Sequence, residues 1–134
     1  MPSSHDILAR ARALRGIPYA DLDCSHFVHR AYEEAQCKYP YQSTKSFAEK
    51  TKEYFVEEAL PAAGDVVLYS GHMGIYDPQG CQVLKSDQVC RQLNDDAPIL
   101  SARSGGNMGV AYGRSSWFET GKKPKYFRWK GLTA

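Results

Sequence analysis

Two short motifs in this chain could do chemistry. Asp23-Cys24-Ser25 puts a cysteine at what reads as the start of a helix, and Gly71-His72-Met73-Gly74-Ile75-Tyr76 puts a histidine at the mouth of a strand. A thiol attacks well only as the thiolate, and a helix N-terminus and a nearby imidazole are the two commonest means of lowering its pKa. The free amides of a first helical turn, with the N–H of Cys24 itself, can also hold the oxyanion of a tetrahedral intermediate. His72 could take the thiol proton and return it to a leaving amine. The pair points to a cysteine hydrolase or an acyl transferase. The competing role for Cys24 is a small buried core residue, and for His72 a surface or satisfied core histidine. His26 lies two residues past Cys24 on the same helix and would point elsewhere. His26 and His29, at i and i+3, have no third metal ligand of recognisable spacing.

The elements that must position these residues follow from periodicity and breakers. Ile7, Leu8, Ala11 and Leu14 fall on one face of a helix over Asp6–Leu14, capped by Ser4 or Asp6 and stopped by Gly16 and Pro18. A second helix begins near Cys24 with Asp23 as its cap, presents Phe27, Val28, Ala31, Tyr32 and Ala35, and ends before Pro40. A third is expected over Ser43–Tyr54, with Ser43 or Thr44 as cap. Strands are expected at Asp65–Tyr69, His72–Tyr76, Gln82–Lys85, Ile99–Ala102, Val110–Tyr112 and Tyr126–Trp129, with loops over Asn94–Pro98 and Ser104–Asn107. Helices first and antiparallel strands after them make an α+β domain.

The 134 residues fit one domain, spanning 1–134, with one core. The net charge of +2 is too small to argue for nucleic acid or an anionic membrane as partner. No apolar run approaches a transmembrane length. No basic stretch followed by an apolar one opens the chain, so no secretory signal is visible. Of the four cysteines, Cys81 and Cys90 flank a short segment that reads as a hairpin and could be bridged in an oxidising compartment, although unrelated reduced thiols fit the spacing equally well. Cys37 lies in a polar stretch and is left unpaired.

Four motifs together carry a family resemblance. Gly16-Ile17-Pro18-Tyr19, Asp23-Cys24-Ser25-His26-Phe27-Val28, Ala63-Gly64-Asp65-Val66-Val67-Leu68-Tyr69 and His72-Met73-Gly74-Ile75-Tyr76 resemble, in order and spacing, the pattern of the NlpC/P60 family of cell-wall endopeptidases. The resemblance implies a papain-like α+β fold, with N-terminal helices packed on an antiparallel sheet. It also implies hydrolysis of amide bonds in peptidoglycan stem peptides, usually between the γ-carboxyl of D-glutamate and diaminopimelate, with no metal and no cofactor. Residue by residue, Cys24 matches the nucleophile and His72 the base, while Tyr19, Asp23 and Ser25 match positions lining the substrate cleft. Their structural alternatives are core, helix cap and first-turn residue.

The chain departs from the family pattern in two places. His26 stands where the family has glycine, so a side chain narrows one wall of the cleft. The family's third catalytic position, a polar residue that orients the base, falls on Leu84 in a gap-free reading and on Ser101 if Cys81–Pro98 is an insertion. Ser101 is preferred, with Asp87, Asn94 and Asp95 as alternatives, and Arg103 could meet a substrate carboxylate. These residues lead us to expect a monomeric peptidoglycan amidase. It would be a phage lysis enzyme or, preferably, an antibacterial effector, cytoplasmic in its producer and then secreted without a visible signal peptide to act in the periplasm or cell wall, with an immunity protein as partner. The alternatives are an acyltransferase or amidase of the same fold acting on a non-wall substrate, and a catalytically silent binding module.

Overall fold

In the computed structural model, residues 2–84, 87–93, 96–105 and 108–132 are described. The first helix, α1 (Ser4–Ala13), starts two residues earlier than its spacing suggests. Ser3 caps it by accepting from the Asp6 amide at 3.2 Å, and the Asp6 carboxylate accepts from the Ser3 amide at 3.0 Å. This reciprocal box satisfies two amides that the helix cannot bond itself. Ile7, Leu8 and Ala11 are buried, as their spacing requires.

Helix α2 (Cys24–Glu34) is capped by Asp23, whose carboxylate accepts from the His26 amide at 3.0 Å. Phe27, Val28, Ala31 and Tyr32 on its inner face are fully buried. The expected third helix over Ser43–Tyr54 shrinks to α3 (Phe47–Lys50). Ser46 supplies no side-chain cap bond, and Thr51 Oγ1 donates to the Phe47 carbonyl at 2.6 Å, a local bond that competes with further helix.

A strand that the sequence reading misses follows: β1 (Phe55–Glu58), an edge strand with only Phe55 buried. Then come β2 (Val66–Tyr69) and β3 (His72–Tyr76), a hairpin in which Tyr69 faces His72. The strand expected at Gln82–Lys85 is instead a helical turn, α4 (Gly80–Val83), with Val83 exposed; Lys85 lies outside the described residues. A second short helix, α5 (Gln88–Gln92), follows, with the Asp87 carboxylate accepting from the Val89 and Cys90 amides. A disulfide between Cys81 and Cys90 joins these two helices, so the segment between the cysteines is no hairpin. An apolar pair in a four-residue segment does not by itself tell strand from helix. Strands β4 (Ile99–Arg103) and β5 (Gly109–Gly113), a 3-10 turn at Ser115–Trp117 and β6 (Lys125–Trp129) complete the chain. Asn94, Asp95, Gly106 and Asn107, from the two expected loops, lie outside the described residues.

The six strands form one antiparallel sheet in the order β1-β6-β2-β3-β4-β5. Helix α2 packs on α1 and against β3 and β4, which makes this an α+β fold of the expected papain-like kind.

Two buried carboxylates frame the β2–β3 hairpin. Asp65, just before β2, accepts Arg128 Nε at 3.0 Å and Nη2 at 2.9 Å, tying the hairpin to β6. Asp77, just after β3, accepts Arg12 Nε at 2.9 Å and Nη2 at 2.8 Å, and the Tyr112 hydroxyl at 2.7 Å, tying it to α1 and β5. Bidentate pairing of this kind compensates the desolvation of a buried carboxylate. The chain before α2 is held by β5. The Gly16 amide donates to the Val110 carbonyl at 2.9 Å, and the Val110 amide to the Ile17 carbonyl at 3.1 Å. Gly109 sits at φ +68° with room for no side chain, since a Cβ there would lie 2.1 Å from the Ile17 carbonyl oxygen.

Candidate active site

One half of the site is built at the start of α2. Cys24, the first residue of the helix, is a free thiol, only 8% exposed. Its Sγ lies 3.6 Å from Thr44 Oγ1. Thr44 thus meets the thiol rather than capping α3, a role nothing in its sequence context signals. Around the thiol runs a hydrogen-bonded chain. Ser25 Oγ donates to Asp23 Oδ1 at 3.3 Å, and the Tyr41 hydroxyl lies 2.6 Å from Ser25 Oγ. His26 Nδ1 lies 2.6 Å from Asp23 Oδ1, and the His26 ring stacks on Tyr41 with centroids 4.1 Å apart. Burial opposes ionisation of Asp23, but the His26 amide and ring and the Ser25 hydroxyl outweigh it, so the carboxyl titrates below its ordinary value. His26, where the family pattern has glycine, is thus fixed between Asp23 and Tyr41.

The other half is built on the sheet. His72 opens β3, and its ring stacks on Phe118 with centroids 4.4 Å apart and planes 22° from parallel. His72 Nε2 lies 3.0 Å from the hydroxyl of Ser101, a residue of β4 with no solvent exposure. Gly74 makes this reach available. A Cβ there would lie 2.9 Å from Ser101 Cβ and from the Leu100 carbonyl oxygen, so only a glycine lets β4 come this close to β3. Burial, and then the positive charge of Arg103, push the His72 pKa from 6.5 down to about 4. The imidazole is neutral at pH 7. In the tautomer that carries its proton on Nε2, Ser101 accepts, and Nδ1 keeps the free lone pair.

Tyr19 joins the two halves. It lines a cavity of about 350 Å³ together with His72, Arg103, Trp117 and Phe118. Burial, followed by the acidic groups of Cys24 and Asp23, raises its pKa. The other candidates for the third position are elsewhere. Asp87 caps α5 and pairs with Arg15 at 2.7 Å, Leu84 packs against the main core, and Asn94 and Asp95 lie outside the described residues. Cys37 is buried, and burial raises its thiol to about 11, which leaves it protonated and unreactive. Among the described residues no group of three or more His, Cys, Asp or Glu side chains could hold a metal ion.

Residues 13–110 match the sequence pattern described as the NlpC/P60 family. The chain belongs to the NlpC/P60 family. That family consists in general of cysteine peptidases and amidases, with cell-wall peptides as the general theme. A comparison with curated proteins finds no match. The NlpC/P60 match takes in Tyr19, Cys24, His72 and Ser101 and stops at Val110. Trp117 and Phe118, which wall the cavity at His72, lie beyond it. No motif marks them, and only folding back of the 3-10 turn brings them to the histidine.

Proposed function

We propose that the protein hydrolyses amide bonds in peptidoglycan stem peptides, between the γ-carboxyl of D-glutamate and diaminopimelate, by thiol catalysis. The observation that carries this reading is the half-buried, neutral His72, bonded through Nε2 to Ser101, in a chain with the family's Asp23-Cys24-Ser25 helix start. In the proposed reaction His72 Nδ1 takes the Cys24 proton as sulfur attacks the amide carbonyl. The Cys24 amide and the first turn of α2 hold the oxyanion. The imidazolium then gives its proton to the leaving amine, which departs and leaves a γ-glutamyl thioester on Cys24. His72 next deprotonates a water, which attacks the thioester, releases the acid and returns the thiol. Ser101 orients the base. Asp23 and Ser25, with His26 and Tyr41, line the cleft on the side of the acyl half, and Tyr19 lies between that side and the cavity at His72.

The Cys81–Cys90 disulfide supports a working place in an oxidising compartment such as the periplasm. It suits an antibacterial effector that is exported from its producer, whose partner there is an immunity protein plugging the cleft. The test is a digest of purified diaminopimelate-type peptidoglycan by wild type and by Cys24→Ala, read by mass spectrometry of the released muropeptides. Fragments cut at the D-glutamyl–diaminopimelate bond by wild type alone are expected. No cleavage of a wall that a control enzyme digests would turn the assignment toward acyl transfer or binding.

A further inference from the structure

Arg103 is the half-buried cation of the cavity beside His72. Strand alternation puts it on the same face of β4 as Ser101, two residues on, so it projects toward the cavity that His72 lines. Its cross-strand partner is Gly109, which places no side chain beside it. The guanidinium lies over Trp117, 5.0 Å from the ring centroid, and 5.9 Å from that of Phe118. A cation–π contact of this kind holds the guanidinium in place without occupying its N–H donors.

Among the described residues, that fork has one long hydrogen bond, from Nη1 to the Tyr112 carbonyl at 3.4 Å. Arg12, Arg15, Arg30, Arg114 and Arg128 each meet a carboxylate; Arg103 meets none among the described residues. Most of its five N–H donors are therefore available to a ligand. Burial lowers its pKa, as expected for a cation with no counter-charge. A partly desolvated guanidinium beside a catalytic base is unfavourable unless something anionic completes it.

We propose that Arg103 anchors a free carboxylate carried by the amine half of the scissile amide, and so makes the enzyme select acidic leaving groups such as diaminopimelate. This rests on the thiol-hydrolase reading. It adds the side of the bond, because the histidine that protonates the leaving amine shares a cavity with Arg103, whereas Asp23, Ser25, His26 and Tyr41 occupy the thiol side. Diaminopimelate bears a side-chain carboxylate, and a lysine in the same place bears none. Fork-to-fork pairing with that carboxylate would neutralise Arg103 as the substrate binds.

The test uses Cys24→Ala as a non-hydrolysing binder. It is titrated calorimetrically with L-alanyl-γ-D-glutamyl-diaminopimelate whose side-chain carboxyl is either free or amidated. Amidation is expected to weaken binding by about tenfold or more. The difference should vanish in Cys24→Ala/Arg103→Gln and return in part with Arg103→Lys. Equal binding of the amidated peptide in all three shows that each is folded. An effect of amidation that is equal in all backgrounds, or absent, overturns the proposal. Wild-type cleavage of the free-acid peptide is read separately. Cleavage with amidation-blind binding removes the anchor and keeps the hydrolase. Amidation-sensitive binding without cleavage keeps the anchor and removes the hydrolase.

Discussion

His72 is the side chain whose surroundings say most about the chemistry. Ser101 takes one ring nitrogen, Phe118 covers one face, Tyr69 lies against it with centroids 6.0 Å apart, and Arg103 adds a positive charge. A half-buried imidazole next to a cation gives up its proton easily, so the free enzyme keeps its base neutral to about pH 4. The acidic limb of kcat/KM attributable to His72 is therefore expected well below 6.5, and a pH profile in Arg103→Gln should show that limb moved upward. An unmoved limb would mean that the charge does not reach the ring. Ser101→Ala should lower kcat by about tenfold to hundredfold with little change in KM, as expected for a residue that only orients the base. Tyr19, Asp23 and Ser25 are candidates in the sequence because they match positions of the family's motifs. Thr44, Tyr41, Trp117 and Phe118 are not, because each arrives from a distant segment by folding and carries no local pattern of its own.

The β2–β3 hairpin and β4 position the base, and glycine sets the spacing between them. Gly74→Ala should push β4 away from β3, because the added methyl meets Ser101 Cβ and backbone at 2.9 Å. Activity should fall at least as far as in Ser101→Ala, and thermal unfolding should show a cost of about 1–3 kcal/mol. An active Gly74→Ala would separate the Ser101 contact from catalysis. Asp77→Asn keeps the shape but leaves Arg12 without its counter-charge. We expect a loss of about 3 kcal/mol in chemical denaturation, because breaking one side of a buried pair strands the other.

The same elements show what periodicity can and cannot tell. The helices α1 and α2 and the strands β2 to β6 repeat apolar residues often enough to be found. Strand β1 escapes because its only apolar residues are the adjacent pair Phe55 and Val56, followed by two glutamates, with Val56 exposed at the sheet edge. The run Gln82–Lys85 misled because its apolar pair belongs to a helical turn fixed by a disulfide, a tertiary constraint that four residues cannot announce.

For the whole molecule, the disulfide and His72 both make stability depend on conditions. A bridge between Cys81 and Cys90 closes a loop of about ten residues, for which chain entropy gives about 2–3 kcal/mol. Urea unfolding with and without reductant should differ by that amount, and Cys81→Ala/Cys90→Ala should match the reduced form in both. The His72 pKa is depressed on folding, so the unfolded chain binds that proton first. The histidine's contribution to stability is whole above pH 6.5 and is lost as pH falls toward about 4. The difference between wild type and His72→Gln over that window isolates it from the carboxylates.

Covalent catalysis by Cys24 is the centre of the account, and nucleophile trapping tests it most directly. Wild type is turned over on the stem peptide in rising hydroxylamine, and the γ-glutamyl product is identified by mass spectrometry. A thioester on Cys24 predicts that γ-glutamyl hydroxamate replaces γ-glutamic acid in proportion to hydroxylamine, and that Cys24→Ala makes neither. Acid alone at every hydroxylamine concentration, or hydroxamate from Cys24→Ala, would contradict it.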